Sequence, residues 1–241
     1  MIKYLTIFIN PLILLLGFWS LFYSQKAIHY WLIIIAILLI LLSGRIVAKN
    51  KFWKFKVLWL NLIFVYISQL LFFLLLISGD LRYILSFVLS LSWVLIWWLI
   101  FKYFENTNNI ESSNYLAVNK FFYYIGFWFL ATSAYALVIF LHFPLLYTYL
   151  VLIIVTFFWA LDIIRARDDL AWPYLLFSLF LLSQIMAVVY LLPLSFYVAG
   201  TIATLWFFFI IDNTANTLKS FRLYLSLFLL TVLLVLITAI L

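Results

Sequence analysis

The chain has 241 residues, of which 70% are hydrophobic and 9% are charged. Soluble domains are about half apolar and about a quarter charged, so this composition excludes an aqueous fold and favours hydrocarbon as the solvent. The net charge of +7 does not indicate nucleic acid, because basic loops beside anionic lipid explain it more simply. The absence of cysteine excludes disulfides, thiolate metal ligands and a cysteine nucleophile.

Long apolar runs separated by short polar segments predict an all-α protein, a polytopic transmembrane helical bundle of about nine spans. Residues 1–241 then form a single integral-membrane domain with no soluble domain. The predicted spans are 4–23, 30–47, 57–78, 82–104, 121–141, 145–164, 173–194, 196–211 and 222–241. Two of the divisions depend on proline turns, at His142-Phe143-Pro144 and at Leu192-Pro193-Leu194-Ser195. The polar stretch Glu105 to Lys120 is expected to be a solvated loop or a short surface helix.

The first span could be mistaken for a cleaved signal peptide, because Lys3 precedes its apolar run. The run has no small-residue cleavage site, however, and Asn10-Pro11 interrupts its first half. We therefore interpret it as a retained transmembrane helix.

Lysine and arginine fall mostly in every second gap between the spans. With the N-terminus inside, the inner segments hold 12 of the 14 basic residues, and Lys26 and Arg82 lie outside. The inner residues are Lys3, Arg45, Lys49, Lys51, Lys54, Lys56, Lys102, Lys120, Arg165, Arg167, Lys219 and Arg222. By the positive-inside rule the N-terminus is cytoplasmic and the C-terminus is outside, in a plasma (inner) membrane.

Similar segments recur along the chain. Residues Phe157 to Asp162 resemble residues Phe207 to Asp212, which lie 50 positions later, and Ser-Gln occurs at both 68–69 and 183–184. These similarities favour tandem helical hairpins followed by one last helix. The alternative is chance similarity, because interfacial aromatic residues are common throughout this composition.

Two predicted inner segments contain the densest polar clusters. The candidate cytoplasmic-face site consists of Asp162, Arg165, Arg167, Asp168, Asp169, Asp212 and Arg222. Carboxylates can hold Mg²⁺ and guanidinium groups can bind phosphate, which a membrane-embedded lipid transferase requires. The spacing does not form the aspartate-rich boxes of such enzymes. The alternative is that Asp162 and Asp212 pair with nearby bases and anchor the ends of their helices.

A basic, aromatic segment follows the second predicted span. Its charged residues are Arg45, Lys49, Lys51, Lys54 and Lys56, and they alternate with Phe52, Trp53, Phe55 and Trp59. This pattern predicts binding of anionic lipid headgroups at the membrane surface. Docking of a membrane protein is the alternative.

Polar residues inside the spans are mainly amides and hydroxyls, and no ionisable residue lies deep in a span. Gln69 and Gln184 are the most notable, because an amide within hydrocarbon needs a hydrogen-bond partner. We expect these groups to bond across helices, with a substrate path as the alternative. Small residues at 131–134 and 199–204 predict close packing of the fifth and eighth spans.

Metal chemistry has little support in the sequence. His29 and His142 are the only histidines and, with Asp80, lie on the predicted outer side. Two histidines and a carboxylate can bind a metal, but no local spacing brings these three together. We therefore predict no metal site and no cofactor.

No catalytic motif is present, and the absence of intramembrane ionisable residues disfavours proton-coupled transport. The resulting hypothesis is a non-enzymatic, multi-pass membrane protein that acts as a scaffold, an assembly factor or a subunit of a membrane complex. Its expected partners are anionic lipid and another membrane protein. The alternatives are a transporter or channel for a small or lipophilic solute, and a lipid-processing transferase at the cytoplasmic face.

Overall fold

The computed structural model describes residues 2–23, 26–75, 79–105, 112–165, 172–192, 194–213, 229–231 and 233, and within them all regular secondary structure is helical. The helices are α1 (Ile2–Tyr23), α2 (Lys26–Ala48), α3 (Lys56–Leu75), α4 (Gly79–Glu105), α5 (Ser112–Leu141), α6 (Leu145–Arg165), α7 (Trp172–Leu191) and α8 (Phe196–Asn213). A 3₁₀ segment, Lys49–Phe55, connects α2 to α3.

The first eight predicted spans each coincide with one of these helices. The largest boundary difference is at α5, which begins at Ser112 and so includes residues 112–120 of the stretch expected to be a solvated loop or a short surface helix. The helix α1 continues through Pro11. Of the ninth predicted span, 222–241, only residues 229–231 and 233 are described, and they are helical.

Both proline turns separate helices as predicted. His142 follows the last residue of α5 in the left-handed region, with a φ of 49°, and the Phe143 N–H donates to the Leu137 carbonyl at 3.3 Å. At the second turn, the Ser195 hydroxyl accepts from the Val198 N–H at 3.4 Å and caps α8.

Four helical stretches are long and apolar enough to cross a membrane, judged by length and composition over the described residues. They are Lys56–Leu75, Asp80–Glu105, Lys120–Leu141 and Leu145–Asp162. Shorter apolar stretches occur at Phe8–Trp19, Leu175–Leu191 and Phe196–Ile211. The membrane class expected from composition is thus supported by helix length.

The chain divides into two compact units, Met1–Asn119 and Lys120–Leu241. In the first unit α1 packs against α2, α3 and α4, and α3 is the more buried of its two candidate membrane-spanning stretches. Its core is aromatic: the Phe18 ring lies 5.0 Å from that of Phe73 and 6.0 Å from that of Tyr66, measured between centroids.

In the second unit α7 packs against α6 and α8. The more buried of its two candidate membrane-spanning stretches is Lys120–Leu141 in α5, whose residues 129–136 are all buried. Near the start of this stretch, Phe127 stacks on Phe207 of α8 with ring centroids 4.3 Å apart, and Tyr123 stacks on Trp159 of α6. The two similar segments of α6 and α8 therefore both pack against α5.

Candidate functional site

Asp162 is the best-defined residue of the predicted cytoplasmic-face site. Its carboxylate is half-buried and accepts a hydrogen bond from the Tyr123 hydroxyl of α5, with 2.6 Å between the oxygens. The Tyr123 ring is fixed by its stack on Trp159, one turn before Asp162. A charge-assisted bond to a ring held in place ties the end of α6 to α5. This geometry is that of an anchor between helices.

The other members of that predicted site are less defined. Arg165 is the last residue of α6 and Asp212 lies in the last turn of α8; the structure describes their backbones and not their side chains. Arg167, Asp168, Asp169 and Arg222 lie outside the described residues. Convergence of these seven residues therefore stays a prediction.

The predicted headgroup-binding segment is anchored by Trp59. The Trp59 indole N–H donates to the Phe52 carbonyl at 3.0 Å, and its ring stacks on Phe52 and on Phe104 of α4. The charged residues Arg45, Lys49, Lys51 and Lys56 are exposed, and the Lys54 side chain is not among those described. A basic segment is thus held by an aromatic stack while its charges face outward.

Gln69 has the interhelical partner that an amide in hydrocarbon requires. It is buried in α3, and its side-chain oxygen accepts from the Trp93 indole N–H of α4 at 2.8 Å. Asn10 behaves in the same way, because its amide donates to the Ser43 hydroxyl of α2 at 2.6 Å. For these two amides the expectation of bonding across helices is confirmed.

Gln184 differs from Gln69. It lies seven residues before the end of α7 and its side chain is exposed. Along the same face Phe177, Phe180 and Val188 are exposed to 58%, 60% and 57%. No hydrogen bond of the Gln184 amide is found within the part of the chain that the structure describes. An amide therefore stands on an otherwise apolar helix face.

The expectation of bonding across helices is wrong for most intramembrane hydroxyls. Ser68, Ser90, Ser92, Ser183 and Thr204 each donate to a carbonyl three or four residues earlier in their own helix. A short hydroxyl side chain reaches the preceding turn easily, so it is satisfied without a neighbouring helix.

Close packing of α5 and α8 is confirmed at Gly200. A Cβ atom added there would lie 2.8 Å from the Cα and 2.9 Å from the backbone nitrogen of Thr132. The Trp128 indole N–H of α5 also donates to the Thr201 hydroxyl of α8 at 3.0 Å. The small residues of both helices thus bring two backbones into contact.

A cavity of about 520 Å³ lies in the second unit and is lined by residues of α5, α6 and α7. Its wall is almost entirely apolar and includes Tyr135, Val138, Tyr149, Leu152, Ala187 and Tyr190. The Tyr135 hydroxyl donates to the Met186 carbonyl at 3.1 Å, and the Tyr149 hydroxyl donates to the Ser183 carbonyl. Both bonds tie a wall helix to α7.

Sequence reasoning did not foresee this cavity or the role of the tryptophans. Trp59, Trp93, Trp97 and Trp159 are completely or almost completely buried. Tryptophan favours the membrane–water boundary in general, but in this chain Trp59 and Trp93 supply indole donors within a unit. A tryptophan in the middle of a long apolar run, such as Trp93, is the sequence signal for this role.

Metal binding gains no support from the described residues. Among them, no group of three or more histidine, aspartate or glutamate residues is placed to hold a metal ion. His142 is exposed in the turn after α5, whereas the structure describes only the backbone of His29.

Comparison with known proteins returned no relative: no protein-family model, curated protein or solved structure matches this chain. Its function must therefore be inferred from its own residues.

Proposed function

We propose that this chain is a multi-pass membrane protein that serves as a scaffold, an assembly factor or a subunit of a membrane complex, and that α7 contacts a helix of another membrane protein. The observation that carries the proposal is the exposed amide of Gln184 among Phe177, Phe180 and Val188. Lipid tails offer no hydrogen-bond donor or acceptor to this amide.

The location of Gln184 favours a helix as the partner. Seven residues of helix correspond to about 10 Å, so the amide lies well inside α7 rather than at its end. An unsatisfied amide in hydrocarbon is costly, and interhelical hydrogen bonds of such side chains stabilise association by about 1–2 kcal/mol. A partner helix with one hydrogen-bonding side chain at this depth satisfies Gln184 and covers the aromatic residues beside it.

The alternative functions have weaker support. A polar transport path would require Gln69 and Gln184 to face each other, yet Gln69 already bonds Trp93. A transferase would require Asp162 to converge with the other inner-face carboxylates, yet Asp162 is bonded to Tyr123. These contacts support a structural role for both residues.

The proposal includes the topology inferred from charge. In this topology the chain crosses a plasma membrane nine times, with a cytoplasmic N-terminus and an outer C-terminus. The ninth crossing requires a final helix near 222–241. The proposal also includes anionic headgroup binding by Arg45, Lys49, Lys51, Lys54 and Lys56. The alternation of basic residues supports the topology, and the exposure of the described bases supports the headgroup contact.

Photo-crosslinking in the native membrane tests the partner. With a photoreactive residue at Val188, we expect one defined membrane-protein adduct, and a doubled chain mass would identify a second copy as the partner. Gln184→Leu should reduce that adduct roughly tenfold, as the loss of ~1–2 kcal/mol implies.

Two controls accompany this experiment. Gln184→Asn keeps an amide and should preserve most of the adduct. A photoreactive residue at Phe87, exposed on α4, should not give the same adduct. An adduct at Val188 that is unchanged in Gln184→Leu would refute the role of the amide.

A further inference from the structure

We infer that the cavity between α5, α6 and α7 is a binding site for one hydrocarbon chain of a membrane lipid, either an acyl or an isoprenoid chain. This site is separate from the proposed partner contact, because Gln184 does not line the cavity.

The size of the cavity suits such a ligand. Its volume of about 520 Å³ lies within the range of small-molecule pockets, roughly 300–1,000 Å³. An apolar space of this size is not left empty in a bilayer, because unfilled cavities lose van der Waals contacts along their walls. Surrounding lipid chains are the molecules available to fill it.

The position of the cavity allows entry from one leaflet. Its wall includes Leu145 at the start of α6 and Leu191 at the end of α7, and it reaches Ala134, seven residues before the end of α5. Seven helical residues span about 10 Å, so the cavity extends about 10 Å from the ends of these helices. One leaflet of hydrocarbon is about 15 Å thick, and a lipid chain of that leaflet can therefore reach the cavity. Leu145, Leu146 and Leu191 are exposed, so the rim is apolar.

The wall offers little to a polar occupant, because three of its four hydroxyls, those of Tyr135, Thr148 and Tyr149 but not that of Tyr190, donate to backbone carbonyls of the described residues. The hydroxyls of Tyr135 and Tyr149 donate to backbone carbonyls of α7, and the Thr148 hydroxyl donates to the Pro144 carbonyl at 3.3 Å. A buried water needs two to four polar partners, and a polar solute would lose its own hydrogen bonds here. A saturated or isoprenoid chain has no such requirement.

The wall is also held open in advance. The bonds from Tyr135 and Tyr149 join α5 and α6 to α7 on two sides of the cavity. A chain that moves from lipid into this site gains little from the hydrophobic effect, because it leaves one hydrocarbon environment for another. Selectivity therefore comes from the fit of the chain against rigid tyrosine and leucine surfaces.

The test uses the full chain, purified and reconstituted in phosphatidylcholine–phosphatidylglycerol vesicles. One arm contains a phospholipid with a diazirine in one acyl chain, and a second arm contains a polyprenol with the same group. After irradiation, adducts are mapped by mass spectrometry. We expect adducts to concentrate on Tyr135, Val138, Tyr149 and Tyr190 relative to the exposed residues Phe177 and Phe180. The arm with the stronger enrichment identifies the chain type.

Matched variants separate binding from ordinary lipid contact. Ala187→Trp places a large ring in the cavity and should lower the cavity adducts roughly tenfold, as expected when a fitted site is overpacked. Val188→Trp adds the same ring on the adjacent exposed residue, which does not line the cavity, and should leave the adducts unchanged. Ala187→Leu is a milder filling variant should the tryptophan prevent folding.

Two results would overturn the inference. One is an adduct density in the cavity no higher than that on Phe177 and Phe180 in both arms. The other is an equal adduct yield in wild type and in a folded Ala187 variant. The reconstituted vesicles contain no other protein, and Gln184 does not line the cavity, so neither result depends on a complex with another membrane protein.

Discussion

Gly200 illustrates how a single residue sets the distance between two helices. Alanine normally favours a helix over glycine by about 1 kcal/mol, so Gly200→Ala would stabilise an isolated helix. Here the added Cβ would meet backbone atoms of Thr132 at 2.8–2.9 Å, and a backbone cannot rotate away. We expect Gly200→Ala to lower the free energy of unfolding by about 1–3 kcal/mol, measured by denaturant titration in detergent.

Gly44→Ala is the comparison for this prediction. Its Cβ would meet only the ring of Trp59, at 2.9–3.1 Å, and a side chain can shift more readily than a backbone. The loss for Gly44→Ala should therefore be smaller than that for Gly200→Ala. Equal losses, or a gain in stability for Gly200→Ala, would mean that α5 and α8 do not approach as closely as the structure indicates.

The two glutamines show what sequence reasoning can reach at the residue scale. Both could be recognised as amides that need partners, because they interrupt long apolar runs. The partner could not be predicted, because helices that are apolar on every side do not reveal which face is buried. Trp93 lies 24 positions from Gln69, and only the packing of α3 against α4 brings them together.

At the scale of elements, helix positions were predictable because the length of an apolar run and a proline turn are local signals. The start of α5 was not predictable from hydrophobicity, because Ser112 to Asn119 mixes four polar residues with four apolar or aromatic ones, and such sequences form loops as readily as helices. The 3₁₀ segment was also missed, since it depends on the stacking of Trp59 between Phe52 and Phe104.

The basic, aromatic segment from Arg45 to Trp59 leads to a prediction about lipid selectivity. Trp59 anchors it and Lys49, Lys51 and Lys56 are exposed, so these charges are positioned to meet anionic headgroups. Each lysine near an anionic surface contributes about 1 kcal/mol, so replacing all three by glutamine should weaken phosphatidylglycerol binding roughly a hundredfold. Competition between fluorescent phosphatidylglycerol and phosphatidylcholine in nanodiscs measures this change.

Charge, rather than side-chain shape, should determine that result. Replacing the same three lysines by arginine keeps the charge and should preserve the selectivity. The difference between lipids should also decrease at high salt, because exposed charges are screened. Selectivity that survives the three glutamine substitutions would assign headgroup binding to another part of the chain.

At the scale of the molecule, membrane residence followed from composition, whereas the division into two units did not. That division depends on which helices contact one another, and uniformly apolar helices carry little information about their neighbours. Apart from composition, the alternation of basic residues between the gaps is the sequence property that describes the whole chain. It concerns orientation, and it leads to a sharp prediction for the last predicted span, 222–241.

Reporter fusions test that span by comparing two positions along the same chain. A fusion after Lys219 follows eight predicted spans and should be cytoplasmic, whereas a fusion after Leu241 follows nine and should be outside. The physical reason is that Lys219 and Arg222 are retained inside by the positive-inside rule, while the apolar residues that follow are long enough to cross the bilayer. A phosphatase that is active only outside, paired with a fluorescent protein that matures only inside, measures both positions. If both fusions report the cytoplasmic side, residues 222–241 do not cross the membrane, and the chain has an even number of spans.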